Sequence, residues 1–203
     1  MQTVHKDTHY LGFPLLTGYK YHQGYYEEAL HTWHDILLNY TQIHSRAYIV
    51  RLDFSYPFFN RDQYPEDNQL FSKALEALCL SYRRKGADPA YCWAREKSPQ
   101  GGHHYHLILL FNERKIQNSH GVLSKAKRYW ASQLGIPTAD GLVHLSEITS
   151  GYAYCGGLKL NVKNDDKENI KRCFELGTYL CKVHSKDPDL YHINQFGSSR
   201  LKR

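Results

Sequence analysis

The run Gly101-Gly102-His103-His104-Tyr105-His106-Leu107-Ile108-Leu109-Leu110-Phe111 decides the fold. Its second half is unbroken apolar sequence, too short for a buried helix of ordinary length, and it predicts a strand crossing the middle of a sheet. Side chains alternate along a strand with period two. His104 and His106 therefore share one face, and Tyr105 points to the other.

The preceding run, Ala90-Tyr91-Cys92-Trp93-Ala94-Arg95-Glu96, is rich in strand formers, and Lys97-Ser98-Pro99-Gln100-Gly101-Gly102 has the chemistry of a loop. Together they predict an antiparallel hairpin. If Glu96 pairs with His104, the turn centres on Gln100 and a carboxylate joins the two imidazoles on one face. Such a set suits Mn²⁺, Mg²⁺ or Zn²⁺, and the ligand types alone do not choose among them. The plainer reading is structural: with 13 His in 203 residues, an HxH arises easily by chance.

A chain of 203 residues fits one domain with a proper core. At 41% hydrophobic and 23% charged residues, extensive disorder is not expected. Lys and Arg exceed Asp and Glu by 26 to 20, a net charge of +6. That balance suits a polyanionic partner but is also that of many plain soluble proteins. Five cysteines with no CxxC spacing favour reduced thiols. The N-terminus lacks the apolar core of a signal peptide and no run approaches membrane-spanning length, so a cytoplasmic protein with no membrane partner is expected.

Residues 1–23 have no sustained period and read as a surface arm. Tyr26, Ala29, Leu30, Trp33, Leu37 and Tyr40 then fall at helical spacing between Tyr25 and about His44. Ala47–Tyr56 reads as a strand stopped by Pro57, with Arg51, Asp53 and Ser55 on a polar face that either borders a site or is solvated. A second helix is expected from Pro65 to about Lys85 and a third from Ser119 to about Leu134. The first ends in Arg83-Arg84-Lys85 and the other carries Lys125, Lys127 and Arg128, cations that either complement helix ends and solvent or track phosphates. Gly141–Leu145 is a short strand candidate, and residues 150–157 form an aromatic, glycine-rich loop. Asn164-Asp165-Asp166 offers caps for a last helix, Lys167 to about His184. Gln195–Arg203 reads as a mobile basic tail. No phosphate loop of the GxxxxGK type and no internal repeat is present.

The last helix carries Thr178-Tyr179-Leu180-Cys181-Lys182, and residues three apart share a helix face, so Tyr179 and Lys182 project together. A phenol with a pKa of ~10 is a weak nucleophile at neutral pH. Nearby cationic and metal charge would favour its phenolate. Alone, such a pair is ordinary helix surface.

In order, the strand Ile49–Phe54, an acid upstream of a His-hydrophobic-His strand, and a Tyr-x-x-Lys helix resemble the HUH endonucleases of rolling-circle replication. More narrowly, Cys92–Glu96, His104-Tyr105-His106-Leu107 and Thr178–Lys182 are similar to the inovirus gene-II-type replication proteins of filamentous phages and prophage elements. The resemblance covers roughly residues 45–190. It implies an α+β fold, a central antiparallel sheet with the HxH strand flanked by helices over an RRM-like core. It divides the chain into an N-terminal arm and helix (1–44), a nuclease domain (45–190) and a basic tail (191–203).

It also implies that Glu96, His104 and His106 hold Mn²⁺ or Mg²⁺, ahead of Zn²⁺, at the scissile phosphate of single-stranded origin DNA. Tyr179 would attack phosphorus, leaving a 5′-phosphotyrosyl link and a free 3′-OH, while Lys182 holds the phosphate or neutralises its charge. Where some relatives carry a second tyrosine one turn away, this chain has Glu175, which implies a single-tyrosine mechanism. Termination would then need hydroxyl attack or a partner subunit, as in a homodimer, and unwinding would need a separate host helicase. Two rivals stand beside this reading: a non-cleaving origin-binding regulator, and a metal-dependent phosphoesterase in which Tyr179 is structural.

Overall fold

Continuous burial over Ala47–Val50 that gives way to alternation toward Ser55, and nearly continuous burial along His103–Asn112, mark Arg46–Ser55 and His103–Asn112 as the two strands at the middle of a sheet. The computed structural model describes residues 3–59, 63–97, 102–116, 118–146, 157–161, 167–186 and 193–200. In chain order the elements are β1 (Val4–His5), β2 (His9–Tyr10), β3 (Phe13–Pro14), β4 (Tyr25–Tyr26), α1 (Glu27–Ile43), β5 (Arg46–Ser55) and α2 (Gln69–Arg83). β6 (Ala90–Lys97), β7 (His103–Asn112), α3 (Ser119–Leu134), β8 (Val143–Leu145), β9 (Gly157–Asn161), α4 (Lys167–Gly177) and β10 (Phe196–Ser198) follow.

The main sheet runs β10-β6-β7-β5-β8, and β9 also pairs with β5. Every pairing in it is antiparallel. Four helices, among the described residues, flank this sheet, which is the α+β architecture expected from the sequence. The hairpin register is also the expected one, with Glu96 opposite His104 and Ala94 opposite His106. On the other side of β7, Asp53 lies opposite His106. The turn expected around Gln100 lies outside the described residues.

Period-two alternation splits the apolar residues into two cores. Val50, Leu52, Phe54, Tyr105, Leu107 and Leu109 face α2 and α3, where Phe71 and Trp130 are fully buried. Tyr105 stacks face to face on Phe71 at 4.0 Å, on the side away from the paired histidines, as its strand position requires. Ile49, Cys92, Ala94, Ile108 and Leu110 face α1 and α4 together with Leu30, Trp33, Leu37 and Phe174. No helix among the described residues is long and apolar enough to cross a membrane. The four cysteines described, Cys79, Cys92, Cys173 and Cys181, are free and buried.

Several expectations are corrected. α2 begins at Gln69, not Pro65, because the Asp67 carboxylate accepts from the Gln69 N–H at 2.8 Å and forms a turn ahead of the helix. Residues 195–203 do not all form a mobile tail: Phe196–Ser198 pairs with Cys92–Ala94 and completes the sheet edge. The N-terminal arm is not merely laid on the surface, since Tyr10 and Leu15 are core residues. β9 was not foreseen, although Leu158 and Leu160 alternate with Lys159 and Asn161 as a half-buried strand should. The proposed caps at residues 164–166 and most of the glycine-rich loop lie outside the described residues.

The last helix also stops earlier than expected. It ends at Gly177 and tightens into a 3₁₀ turn over Thr178–Cys181, with Lys182 already extended. Trp33 explains the change: its indole Nε1 donates to the Phe174 carbonyl at 2.9 Å, and the Thr178 hydroxyl donates to the Glu175 carbonyl at 2.6 Å. Both carbonyls are thereby supplied with donors at the end of the helix. Lys182 lies one residue beyond the turn, yet its Nζ stays 3.5 Å from the centroid of the Tyr179 ring, so the two side chains remain together.

Gly177 lets Trp33 approach this closely. A Cβ there would fall 2.2 Å from Trp33 Cε2, whereas one on Gly121 in α3 would meet nothing within 4 Å. Gly177→Ala is expected to destabilise the fold by about 1–3 kcal/mol through overpacking. Gly121→Ala should instead stabilise it by about 0.5–1 kcal/mol. Equilibrium urea unfolding compares the two, and equal midpoints would contradict the proposed Trp33 contact.

Candidate functional site

The β6–β7 register brings Glu96, His104 and His106 onto the α1/α4 face of the sheet, with candidate ligand atoms all within 4.8 Å of one another. The His104 and His106 rings lie 4.8 Å apart at 88°, so their ring nitrogens approach from different directions. Glu96 Oε2 is 3.6 Å from His104 Nε2 and 3.3 Å from His106 Nε2.

Asp53 sets the orientation of His106. Its Oδ1 accepts from His106 Nδ1 at 2.6 Å, a closer contact than the 3.4 Å approach of Arg51 Nη2 to the same nitrogen. Placing the proton on Nδ1 leaves the Nε2 lone pair aimed at the Glu96 carboxylate, and Nε2 is buried without a hydrogen-bond partner. Two acceptors facing each other at 3.3 Å require a cation or a proton between them. A carboxylate behind a metal-ligating histidine is the usual supporting arrangement. The donor set therefore fits a divalent cation on Glu96, His104 and His106, and it does not select one metal.

Glu96 carries more partners than the sequence suggested. Its Oε1 receives the Lys182 ammonium and lies 3.2 Å from Lys186 Nζ, while Oε2 accepts from Ser185 Oγ at 2.6 Å. Burial pushes the Glu96 carboxyl up, but His104, His106 and the lysine charge outweigh it and hold the group well below the usual carboxylate range. Burial also pushes Asp53 up, against the stronger effect of His106, Arg51 and Ser146, leaving it at about 2. Lys182 is 1% exposed, and burial brings its ammonium down to about 7 despite Glu96.

Tyr179 packs on this cluster. Its ring lies 4.8 Å from that of His106, with Arg51 Cζ 3.9 Å and Lys182 Nζ 3.5 Å from its centroid. Burial nevertheless pushes the phenol up to about 12, with Glu96 adding to that and Arg51 opposing it. The protein's own cations thus do not supply the phenolate. The N-terminal arm braces the turn from outside: Leu16 N–H donates to Thr178 Oγ1 at 3.3 Å, and Val183 N–H donates to the Gly24 carbonyl at 3.0 Å.

All five residues singled out from the sequence, Glu96, His104, His106, Tyr179 and Lys182, meet here. Lys182 is engaged with Glu96, rather than standing clear to receive a phosphate. Asp53 and Arg51 were visible only as a polar strand face that could border a site. Ser146, Ser185 and Lys186 had no sequence signal, because each reaches the cluster from irregular chain.

Metal titration tests the assignment. His106→Ala is expected to abolish Mn²⁺ binding, and Asp53→Ala to weaken it by about 10–100-fold by releasing the imidazole that it orients. Calorimetry at fixed pH provides the measurement; wild-type affinity in His106→Ala would refute the site.

A search of curated proteins returned no match. The family model described as the YagK/YfjJ C-terminal domain matches residues 8–199, a span that takes in both cores, the Glu/His/His cluster and Tyr179. This chain therefore belongs to the YagK/YfjJ C-terminal domain family.

Proposed function

We propose that the protein is a metal-dependent enzyme that nicks and rejoins single-stranded DNA through Tyr179, in the manner of an HUH-type initiator of rolling-circle replication. The observation that carries this reading is the Tyr179 ring 4.8 Å from the His106 ring, on the same sheet face as the candidate metal ligands. Separate elements brought together this way point to a shared task. The local groups agree with an anionic substrate: Arg51 lies beside Asp53 at 3.6 Å, and Lys182 and Lys186 both reach Glu96, so a phosphate would meet basic side chains there.

A divalent cation on Glu96, His104 and His106 would supply Lewis-acid polarisation of a phosphodiester and favour ionisation of the nearby phenol. The rest falls to the chain. Tyr179 Oη forms a bond to phosphorus as its proton leaves; the bond from phosphorus to the 3′ oxygen breaks, and that oxygen is protonated. The phosphotyrosine ester retains the energy of the broken bond, so rejoining needs no nucleotide cofactor. Asp53 keeps the His106 ring oriented, and Lys182 neutralises Glu96 beside the reacting phosphate. Single-stranded origin DNA is the proposed partner, with host helicase and replication proteins supplying the unwinding and synthesis that this domain does not perform.

Incubation with labelled single-stranded oligonucleotides and Mn²⁺ tests the proposal. Wild-type protein is expected to form a denaturant-resistant covalent adduct that Tyr179→Phe cannot form, and Lys182→Ala should slow its formation by roughly 10²–10³-fold. Undiminished hydrolysis by Tyr179→Phe would instead identify a phosphoesterase with a structural tyrosine. Wild-type binding without cleavage would identify a non-cleaving regulator.

A further inference from the structure

A cavity of about 350 Å³ adjoins the candidate metal centre, with Tyr179 in its wall. Ile49, Ile108 and Leu158 contribute apolar surface from three strands of the sheet, and Cys173 and Leu176 contribute more from α4. Tyr21 and Tyr179 stand nearly perpendicular, at 78° with centroids 6.5 Å apart, and form two walls of a corner. Exposed Lys20 and half-buried Arg51 add positive charge. An apolar hollow with a few converging polar groups is the usual form of a small-ligand site, and this volume is near the lower end of the range of about 300–1,000 Å³.

Arg51 indicates the kind of ligand. Its Nε is buried without a hydrogen-bond partner, because Asp53 Oδ1 lies 3.6 Å away, beyond hydrogen-bond reach. Its guanidinium also covers the Tyr179 ring, so the unmet donor belongs to a side chain that touches both the cavity and the proposed nucleophile. A ligand suited to these features has a flat apolar ring system joined to an anion.

We infer that this cavity seats one unstacked nucleobase of the DNA strand, adjoining the phosphodiester presented to Tyr179, with Arg51 and Lys20 directed at the nucleotide's phosphate. The inference rests on the DNA-nicking reading and adds a specificity subsite to it. Proteins that read single strands hold splayed bases against aromatic and apolar side chains, since every base offers a π-face. The aromatic corner and the aliphatic walls supply such surfaces. The Ser146 hydroxyl, which donates to Asp53, keeps a lone pair that can accept from the edge of the base.

The test uses the full chain with EDTA and no added metal, so that no cleavage is required. The probes are the four 2′-deoxynucleoside 5′-monophosphates, with 2-deoxyribose 5-phosphate as the baseless control. Methyl NMR follows Ile49, Ile108 and Leu158. At least one nucleotide is expected to move these resonances and to bind about tenfold or more tightly than the control. Leu158→Trp, which fills the cavity, should lose that preference. Lys20→Ala, a surface change that spares the core, should weaken nucleotide binding several-fold. Equal affinity for the baseless control, unchanged cavity resonances, or wild-type nucleotide binding by folded Leu158→Trp would overturn the subsite. Covalent adduct formation is measured separately: an adduct without nucleotide binding removes the subsite and leaves the nicking reading, whereas nucleotide binding without an adduct does the reverse.

Discussion

The register of β7 between β5 and β6 is the constraint on which the site depends. It sets Glu96 opposite His104 on one side and Asp53 opposite His106 on the other. A slip of one residue would turn both imidazoles into the packed core beneath α2 and α3 and bring Tyr105 to the site. Apolar burial opposes the slip, since Tyr105, Leu107 and Leu109 fill one core and Ile108 and Leu110 the other. The geometry of the polar cluster is thus enforced by hydrophobic residues that do not belong to it.

Burying Glu96, Lys182 and Lys186 together requires close compensation, because an isolated charge in such surroundings costs several kcal/mol. Each is at most 3% exposed at its side chain. The carboxylate has two oxygens and divides them: Oε1 takes the lysines, and Oε2 takes Ser185 and faces the imidazoles. The lysines therefore fix the carboxylate from behind and leave its other oxygen directed at the histidines. The same division explains why Lys182 is not held out toward solvent, and why its contribution to phosphate chemistry would be exerted as neighbouring charge.

Much of this arrangement was legible in the sequence, for identifiable reasons. The HxH strand and its hairpin followed from period-two alternation and loop chemistry, and Ser119–Leu134 followed from its helical spacing. The end of the last helix was not legible: Lys167 to His184 keeps a helical pattern, and Trp33, 141 residues before Phe174, supplies a contact at its end that no local pattern announces. The strand at Phe196–Ser198 was hidden by its short, polar flanks, and its identity depends on an open edge of β6. Asp53 was visible as one of three alternating polar residues, but strand periodicity gives a face and not a partner. Strand alternation and the hairpin brought Glu96, His104 and His106 together as candidate ligands, and the resemblance to HUH enzymes joined Tyr179 and Lys182 to them. It gave no indication of Ser185 or Lys186, which reach Glu96 through local chain geometry.

The N-terminal region supplies the remaining step, because it connects the outer layer of the fold to the nucleophile candidate. Leu16 bonds to Thr178, Gly24 to Val183, and Tyr25 bridges to Lys182, so the arm contacts the chain on both sides of Tyr179. Trp33 on α1 closes against Gly177 from beneath. A 3₁₀ turn of four residues has little hydrogen bonding of its own. Its conformation is therefore set by these tertiary contacts, and the position of the phenol is determined as much by residues 15–33 as by the helix that precedes it. Residues 1–44 are thus better understood as part of the support for the site than as an appendage to a self-sufficient catalytic core.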